Sequence, residues 1–259
     1  MNTGAPCCAP AGTISRRARE CIERPLFRGG WFDAVFLHYE MDPAALRPYV
    51  TYPLDLREGR AYVSLVLFSL NGLCCDLLPR ATRLLLRPIS DHAFLNVRTY
   101  VRVGETSGIY FLAEWLSNPL SVPFGRPAFG LPYHFARFDR SADRMSAAVW
   151  TRRGNLRFHA SLAPDRHFAA CETGSLDEFL VERYTAFTQW EKMRRFFRVW
   201  HPPWPVAPIT ATIDDAGLLD QTGAWPREAR LIGAHYSPGV ADVWMGAPEW
   251  LPRDDPHAA

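Results

Sequence analysis

The chain has 259 residues, of which 48% are hydrophobic and 13% aromatic, enough apolar material for a substantial core and too much for a disordered chain. Its net charge of +2, with arginines scattered instead of grouped, leaves no footprint for nucleic acid. No apolar run approaches the ~18 residues of a membrane span, and residues 1–20 hold no apolar signal core, so a cytoplasmic location without a membrane partner is expected.

Residues 1–28 mix Ala, Gly, Pro, Ser and Arg without periodicity and predict a loosely ordered arm. With no linker to divide them, residues 29–250 are expected as a single barrel-like domain, and 251–259 as a C-terminal tail. Aromatic and β-branched content predicts a strand over 31–39, and Asp42 before Pro43 predicts an N-capped short helix reaching Tyr49. Residues 54–56 and 60–70 flank Glu58-Gly59 as a hairpin whose second arm is apolar on both faces, hence buried.

Residues 94–103 alternate between Val97, Thr99, Val101 and Val103 on one face and Asn96, Arg98, Tyr100 and Arg102 on the other. A four-residue turn over 104–107 would set Arg98 opposite Ala113, Asn96 opposite Trp115 and Tyr100 opposite Phe111. The polar face is either solvent-exposed, as is ordinary for an antiparallel sheet, or the lining of a cavity inside a barrel. In this register Glu114 falls on the valine face. A lone buried carboxylate there is costly, so it marks an edge position or part of a site.

Two glycines, two prolines, Arg126, Tyr133 and His134 crowd into residues 125–136, which predicts a rigid site-forming loop. Three strands follow, over 135–139, 147–152 and 156–163. Ser175 and Glu178 form a capping box, and Leu176, Phe179, Leu180, Tyr184 and Phe187 continue at helical spacing, with Glu182 and Arg183 as a solvated pair. A strand over 196–200 enters the stiff His201-Pro-Pro-Trp204-Pro segment. Residues 206–219 are assigned a second helix, and 230–236 with 240–245 a hairpin around Ser237-Pro-Gly239.

Dinucleotide, nucleoside triphosphate, zincin and hydrolase-elbow motifs are all missing. Six cysteines show no C-x-x-C spacing and eight histidines share no element at ligand spacing, so reduced thiols, no metal and no cofactor are expected. Lys192 is the one lysine, placed between a helix end and an Arg-rich strand start, where a solvated role is expected.

Five separated motifs occur in order: Asn96-Val-Arg-Thr-Tyr-Val101, Gly108-Ile-Tyr-Phe111, Arg126 through Leu131-Pro-Tyr-His134, Glu182-Arg-Tyr184 and His201-Pro-Pro-Trp-Pro205. In these the chain resembles the YqjF-like proteins and, more distantly, acetoacetate decarboxylase. That resemblance implies an α+β fold, mostly an antiparallel β-barrel or β-cone with a few peripheral helices. The decarboxylase carries a Gly-Arg-Glu-x-x-Gly-x-Pro-Lys frame whose lysine forms a Schiff base. Here the frame reads Gly125-Arg126-Pro127-x-x-Gly130-Leu131-Pro132-Tyr133, so Tyr133 replaces that lysine, His134 the neighbouring lysine, and Pro127 the glutamate. The strand matching the decarboxylase's other glutamate has no carboxylate after Asp91. A phenol forms no imine with a ketone, so decarboxylation by that route should be lost.

What the resemblance leaves is a small-molecule pocket for a carboxylate or oxo acid. Tyr133 and His134 are its candidate acid–base pair, and Arg98, Tyr100, Tyr110, Arg126, His201 and Trp204 its candidate ligand contacts. Tyr133 could equally be a buried phenol tied to backbone, Arg126 an ion pair fastening the loop, and the His201 segment plain packing. Two functions stay open: a binding module, and a lysine-independent lyase, hydratase or isomerase. Homo-oligomerisation is also left open.

Overall fold

The computed structural model describes residues 11–76, 82 and 84–251. In chain order its elements are α1 (Ala11–Glu20), β1 (Phe27–Met41), α2 (Pro43–Leu46), β2 (Ala61–Cys75), β3 (His92–Val103), β4 (Thr106–Leu116), α3 (Val122–Phe129), β5 (Tyr133–Phe135), β6 (Arg137–Arg140), β7 (Ala147–Thr151) and β8 (Gly154–Leu162). They continue with α4 (Leu176–Val181), β9 (Thr185–Trp190), β10 (Met193–Trp200), β11 (Ala207–Asp215), β12 (Arg230–Met245) and β13 (Glu249–Trp250).

The doubly apolar strand β2 explains the architecture. Ala61, Val63, Leu65 and Leu67 join one core, while Tyr62, Val66, Phe68 and Leu70 join another. A strand buried on both faces needs cover on both. Closure supplies the inner cover: β10, β9, β4, β3, β2, β1 and β12 pair in that order, and β12 returns to β10 through Val199–Met245 and Trp200–Trp244. The ring is antiparallel except where β4 meets β9. Beyond β12 the sheet continues as β11, β8, β7 and β6, whose Val149, Leu156 and Phe158 pack into one core with Leu65, Leu95 and Trp115. The architecture is thus the mostly antiparallel, ring-closed α+β fold that the resemblance implied.

Several elements depart from their sequence-based expectations. Inside the expected loose arm, α1 is anchored by Ser15, whose hydroxyl donates to the His201 carbonyl and accepts from Trp200 Nε1. The first ten residues and residues 252–259 lie outside the described structure, and with them Cys7 and Cys8. Residues 125–136 are no loop: α3 ends at Gly130 in the left-handed region (φ 73°), and β5 then pairs parallel to β4. The helix capped by Ser175 stops at Val181, because Glu182 is extended (φ −93°, ψ 97°) and Phe187 is taken into β9 by pairing with β10. Residues 207–215 form a strand, with Ile209, Ala211 and Ile213 on one face, a period-2 pattern that pairing with β8 enforces over helix propensity. Finally, β12 runs through Ser237-Pro-Gly239 without turning. β1 pairs with Ser237 and Gly239 and makes no bridge at Pro238, so the missing N–H costs no ladder bond.

Candidate functional site

Inside the ring lies a cavity of about 290 Å³, and β3 supplies its spine. His92, Phe94, Asn96 and Arg98 all line it, as alternate residues of one strand must when they share a face. At ~3.3 Å per residue that wall is about 20 Å long. Most of the remaining lining is aromatic or aliphatic, including Phe27, Trp31, Phe36, Phe68, Phe111 and Trp204.

The β3–β4 register decides which polar groups enter. The turn holds only Gly104 and Glu105, since Val103 pairs with Thr106, and an extra residue between the Val97–Ala113 and Arg98–Phe111 pairs makes a bulge at Leu112. Asn96 consequently faces Glu114, not Trp115, and Arg98 faces Phe111, not Ala113. The two-residue turn and the bulge put Glu114 beside Asn96, off the valine face and into the cavity wall.

Glu114 is 3% exposed, and its Oε2 has no hydrogen-bond partner among the described residues. Burial raises its pKa well above the usual carboxylate range, which favours the protonated form. Tyr133 is its register partner on β5, and burial together with the Glu114 charge pushes the phenol well above its ordinary value. Among the described residues the Tyr133 hydroxyl has no hydrogen-bond partner, so it is not a phenol tied to backbone. Its ring stands edge-on to Phe94 at 5.9 Å, and the ring of His92 lies 4.6 Å from the same phenylalanine. Among the described residues neither His92 nitrogen has a hydrogen-bond partner, and burial lowers that imidazole to about 4. Glu114, Tyr133 and Asn96 therefore sit together in the wall of an apolar chamber, with His92 further along β3 beyond Phe94.

The expected motif serves this cluster sterically. Gly125 faces the Tyr133 ring so closely that a Cβ there would lie 2.4 Å from it, so only glycine lets α3 pack onto the phenol.

Arg98 is the other charged feature. It is 8% exposed, donates from Nη2 to the Leu180 carbonyl at 3.0 Å and more distantly to Val181, and leaves Nε unpartnered. Among the described residues no carboxylate lies within ion-pair distance of it, whereas the neighbouring Arg183 has Asp55 at 3.4 Å and stacks on Phe179. Glu182 is thus buried and the Arg183 side chain only 10% exposed, not a solvated pair: Glu182 accepts from the Tyr184 hydroxyl and the Trp204 amide, and burial lifts its carboxyl to about 7.

Of the residues singled out from sequence, Tyr133, Arg98, His201 and Trp204 line the cavity. His201 is held by backbone, with Nδ1 at 2.7 Å from the Pro202 carbonyl, and burial lowers its pKa to about 4. Tyr100 sits beyond the lining, donating to the Leu180 carbonyl and bonded to Ser64. Tyr110 lines a separate pocket of about 90 Å³ with Thr188 and Gln189. His134 and Arg126 are exposed and line neither, and Arg126 makes no ion pair among the described residues. Lys192 is exposed on the β9–β10 turn. Sequence reading missed Asn96, His92 and Glu114 as a set. The available signal was their alternation on one strand plus a carboxylate at an awkward register. Among the described residues no three His, Cys, Asp or Glu side chains group as a metal site.

The model of an uncharacterized conserved protein family, DUF2071, matches residues 28–241. The chain belongs to the DUF2071 family. This DUF2071 chain is 30% identical over 205 residues to the uncharacterized protein YqjF of Bacillus subtilis (strain 168), covering 76% of itself and 82% of that relative. Its fold resembles acetoacetate decarboxylase from Legionella pneumophila, with a TM-score of 0.61, 11% identity and 89% of each chain covered. It also resembles the enduracididine biosynthesis enzyme MppR complexed with pyruvate, with a TM-score of 0.60 and 12% identity over 89% of this chain and 92% of the other. At these identities the two structures speak for the fold alone.

Proposed function

We propose that the DUF2071 chain takes a short oxo or hydroxy acid with an apolar tail into the barrel and moves a proton on the carbon next to its carbonyl. The observation that carries this reading is Glu114, a buried carboxyl with an oxygen unpartnered among the described residues, in an apolar cavity beside Tyr133, where burial favours its protonated form. An acid kept neutral in this way can donate a hydrogen bond to a carbonyl oxygen as negative charge develops there. Tyr133 offers a second O–H and His92 a neutral ring nitrogen to accept the carbon-bound proton, while Arg98, about 20 Å along β3 from His92, supplies positive charge that draws an anion into the cavity. In the step itself the proton leaves carbon for His92, the electron pair moves into the new C=C bond, and the carbonyl oxygen takes a proton from Glu114, giving an enol. No imine is needed, which fits Tyr133 standing where the decarboxylase has its lysine. The pyruvate complex of MppR supports the ligand class by analogy of fold.

Proton NMR in deuterated water tests this without knowledge of the final product. 2-Oxo acids of increasing chain length should exchange the protons next to the carbonyl in the presence of the protein, and Glu114→Gln should slow that exchange by ~100-fold or more. Exchange unchanged in both Glu114→Gln and Tyr133→Phe would remove the two residues from the chemistry. A second reading, binding without turnover, is favoured by Arg98 alone, since a buried cation that makes no ion pair among the described residues can hold an anion. Thermal stabilisation by an oxo acid with no exchange over long incubation would select it.

A further inference from the structure

The serine that opens α3 does not behave as a helix cap. A serine in that place ordinarily keeps an extended backbone and turns its hydroxyl onto the amides of the first turn. Ser121 instead has helical angles (φ −78°, ψ −26°), and its side chain makes no capping bond. It is 6% exposed, it lines the cavity, and its Oγ has no hydrogen-bond partner among the described residues. A buried hydroxyl left open forgoes both the cap and the bonds that water would have made to it, which is a cost to folding.

Its place in the fold ties Ser121 to the polar wall. Ser121 and Gly125 are four residues apart, so they share one face of α3 at a spacing of about 5–6 Å, and Gly125 is the residue that lets the helix pack on the Tyr133 ring. On the other side, the Ala93 amide donates to Ser117 Oγ at 2.9 Å and the Ser117 amide to the Ala93 carbonyl at 3.0 Å. These two bonds fasten the segment leading into α3 beside the start of β3, next to His92. The backbone of α3 adds a donor. Pro123 has no N–H and the Phe124 amide returns to the Ser121 carbonyl at 3.2 Å, whereas the Val122 amide has no hydrogen-bond partner among the described residues. The start of α3 thus offers two donors, the Ser121 O–H and the Val122 N–H, at the positive end of a helix.

We propose that Ser121 Oγ, with the Val122 amide and the N-terminal dipole of α3, is the seat of the ligand's carboxylate. This rests on the oxo-acid reading above and adds which residue holds the acid group. In a 2-oxo acid the carboxylate is bonded to the carbonyl carbon itself, so a carbonyl oxygen at Glu114 and Tyr133 leaves the acid group beside Ser121, one helical turn from Gly125. Arg98 draws the anion in from the far end of β3, and Ser121 then holds it where the proton moves. Of the groups such an acid carries, the carboxylate is the pure acceptor, and it meets donors here. Asp91, the carboxylate next to His92 in sequence, is exposed and already accepts from the Gly72 amide at 2.9 Å and from the Ser90 hydroxyl.

Calorimetric titration of the full chain tests it, with 2-oxopentanoate and with 2-pentanone, in which a methyl group replaces the carboxylate. Ser121→Ala should lower affinity for the acid at least ~10-fold and leave affinity for the ketone within about twofold. Ser121→Thr, which keeps the hydroxyl, should retain most of the parent's affinity for the acid. Because the Ser121 hydroxyl caps nothing, Ser121→Ala should hold or raise the melting temperature without ligand, whereas loss of a working cap lowers it. Unchanged acid affinity in Ser121→Ala overturns the seat. So does a loss shared equally by acid and ketone, which marks a packing change, and so does a lowered melting temperature without ligand. The two readings fail separately. Acid affinity that depends on Ser121 without any proton exchange upholds the seat and ends the acid–base reading, whereas exchange that depends on Glu114 with acid affinity indifferent to Ser121 does the reverse. A parent chain that does not bind 2-oxopentanoate overturns both.

Discussion

Two polar regions are buried inside the same barrel, and they are built in opposite ways. In one, Tyr100 donates to the Leu180 carbonyl and bonds Ser64, Ser64 bonds His38 Nδ1 at 2.7 Å, His38 Nε2 meets His235 Nδ1 at 3.1 Å, and His235 Nε2 reaches Asp177 near the surface at 3.5 Å. Burial, with the nearby His235 and Arg98, holds His38 well below the usual imidazole range. In the other, Glu114 Oε2, Asn96 Oδ1 and both His92 nitrogens belong to residues lining an apolar cavity and have no partner among the described residues. A fully connected chain stabilises the fold, whereas buried groups left open are costly to fold and wait for a ligand to complete them. The contrast is what separates scaffold from site in this molecule.

If that division is right, substitutions in the two regions should fail differently. The largest effect is expected for Glu114→Gln, which should slow oxo-acid proton exchange by ~100-fold or more while the melting temperature holds or rises. Arg98→Met should next weaken oxo-acid binding by about 1.5–3 kcal/mol, read by calorimetry, with little change for an uncharged ketone of the same size. Ser64→Ala, which leaves His38 and Tyr100 without their shared partner, should cost about 1–3 kcal/mol of stability in urea unfolding and leave exchange intact. Gly125→Ala should be the mixed case. Its new methyl meets the Tyr133 ring, so stability falls by roughly 1–3 kcal/mol and exchange falls with it.

The smallest effect is the shape of the pH–stability curve. Glu114 keeps its proton in the folded chain at pH values where the unfolded chain has lost it, so stability falls as pH rises above the ordinary carboxylate range, until the folded chain also ionises. Glu114→Gln should flatten that alkaline side. His92 and His201, both lowered to about 4, act in the opposite sense: their contribution is full above 6.5 and is lost as pH falls toward 4. Thermal melts of the parent chain and of Glu114→Gln across this span check both slopes. A parent curve without an alkaline decline would break the assignment of a protonated Glu114.

Much of the barrel was readable because its signals are local. The two-faced apolar pattern of residues 61–70 and the alternation of 94–103 follow from the pleat of a strand, whatever surrounds it. Asp42 and Ser175 cap their helices through contacts two and three residues away. Elements failed where a distant strand outbid local preference: Phe187 left its helical spacing for β9, residues 207–215 became β11, and Ser237-Pro-Gly239 was held straight against β1. The site divided in the same manner. Tyr133 and Arg98 stand out by residue type within their motifs, but Arg126 and His134, close to Tyr133 in sequence, lie outside the cavity because α3 and β5 point them to solvent.

The sequence by itself determined that this chain closes a largely antiparallel sheet around an apolar interior, and that a tyrosine stands in a lysine's frame. The strands themselves are carried by residue type and short-range periodicity, whereas ring closure and the lysine's frame came through the resemblance of the motifs to the YqjF-like proteins and the decarboxylase. Only the tertiary structure decided which polar groups share the chamber with Tyr133. A two-residue turn and one bulge at Leu112 moved Glu114 from the valine face to the cavity wall, and a shift of one residue in a pleated pair exchanges inside for outside.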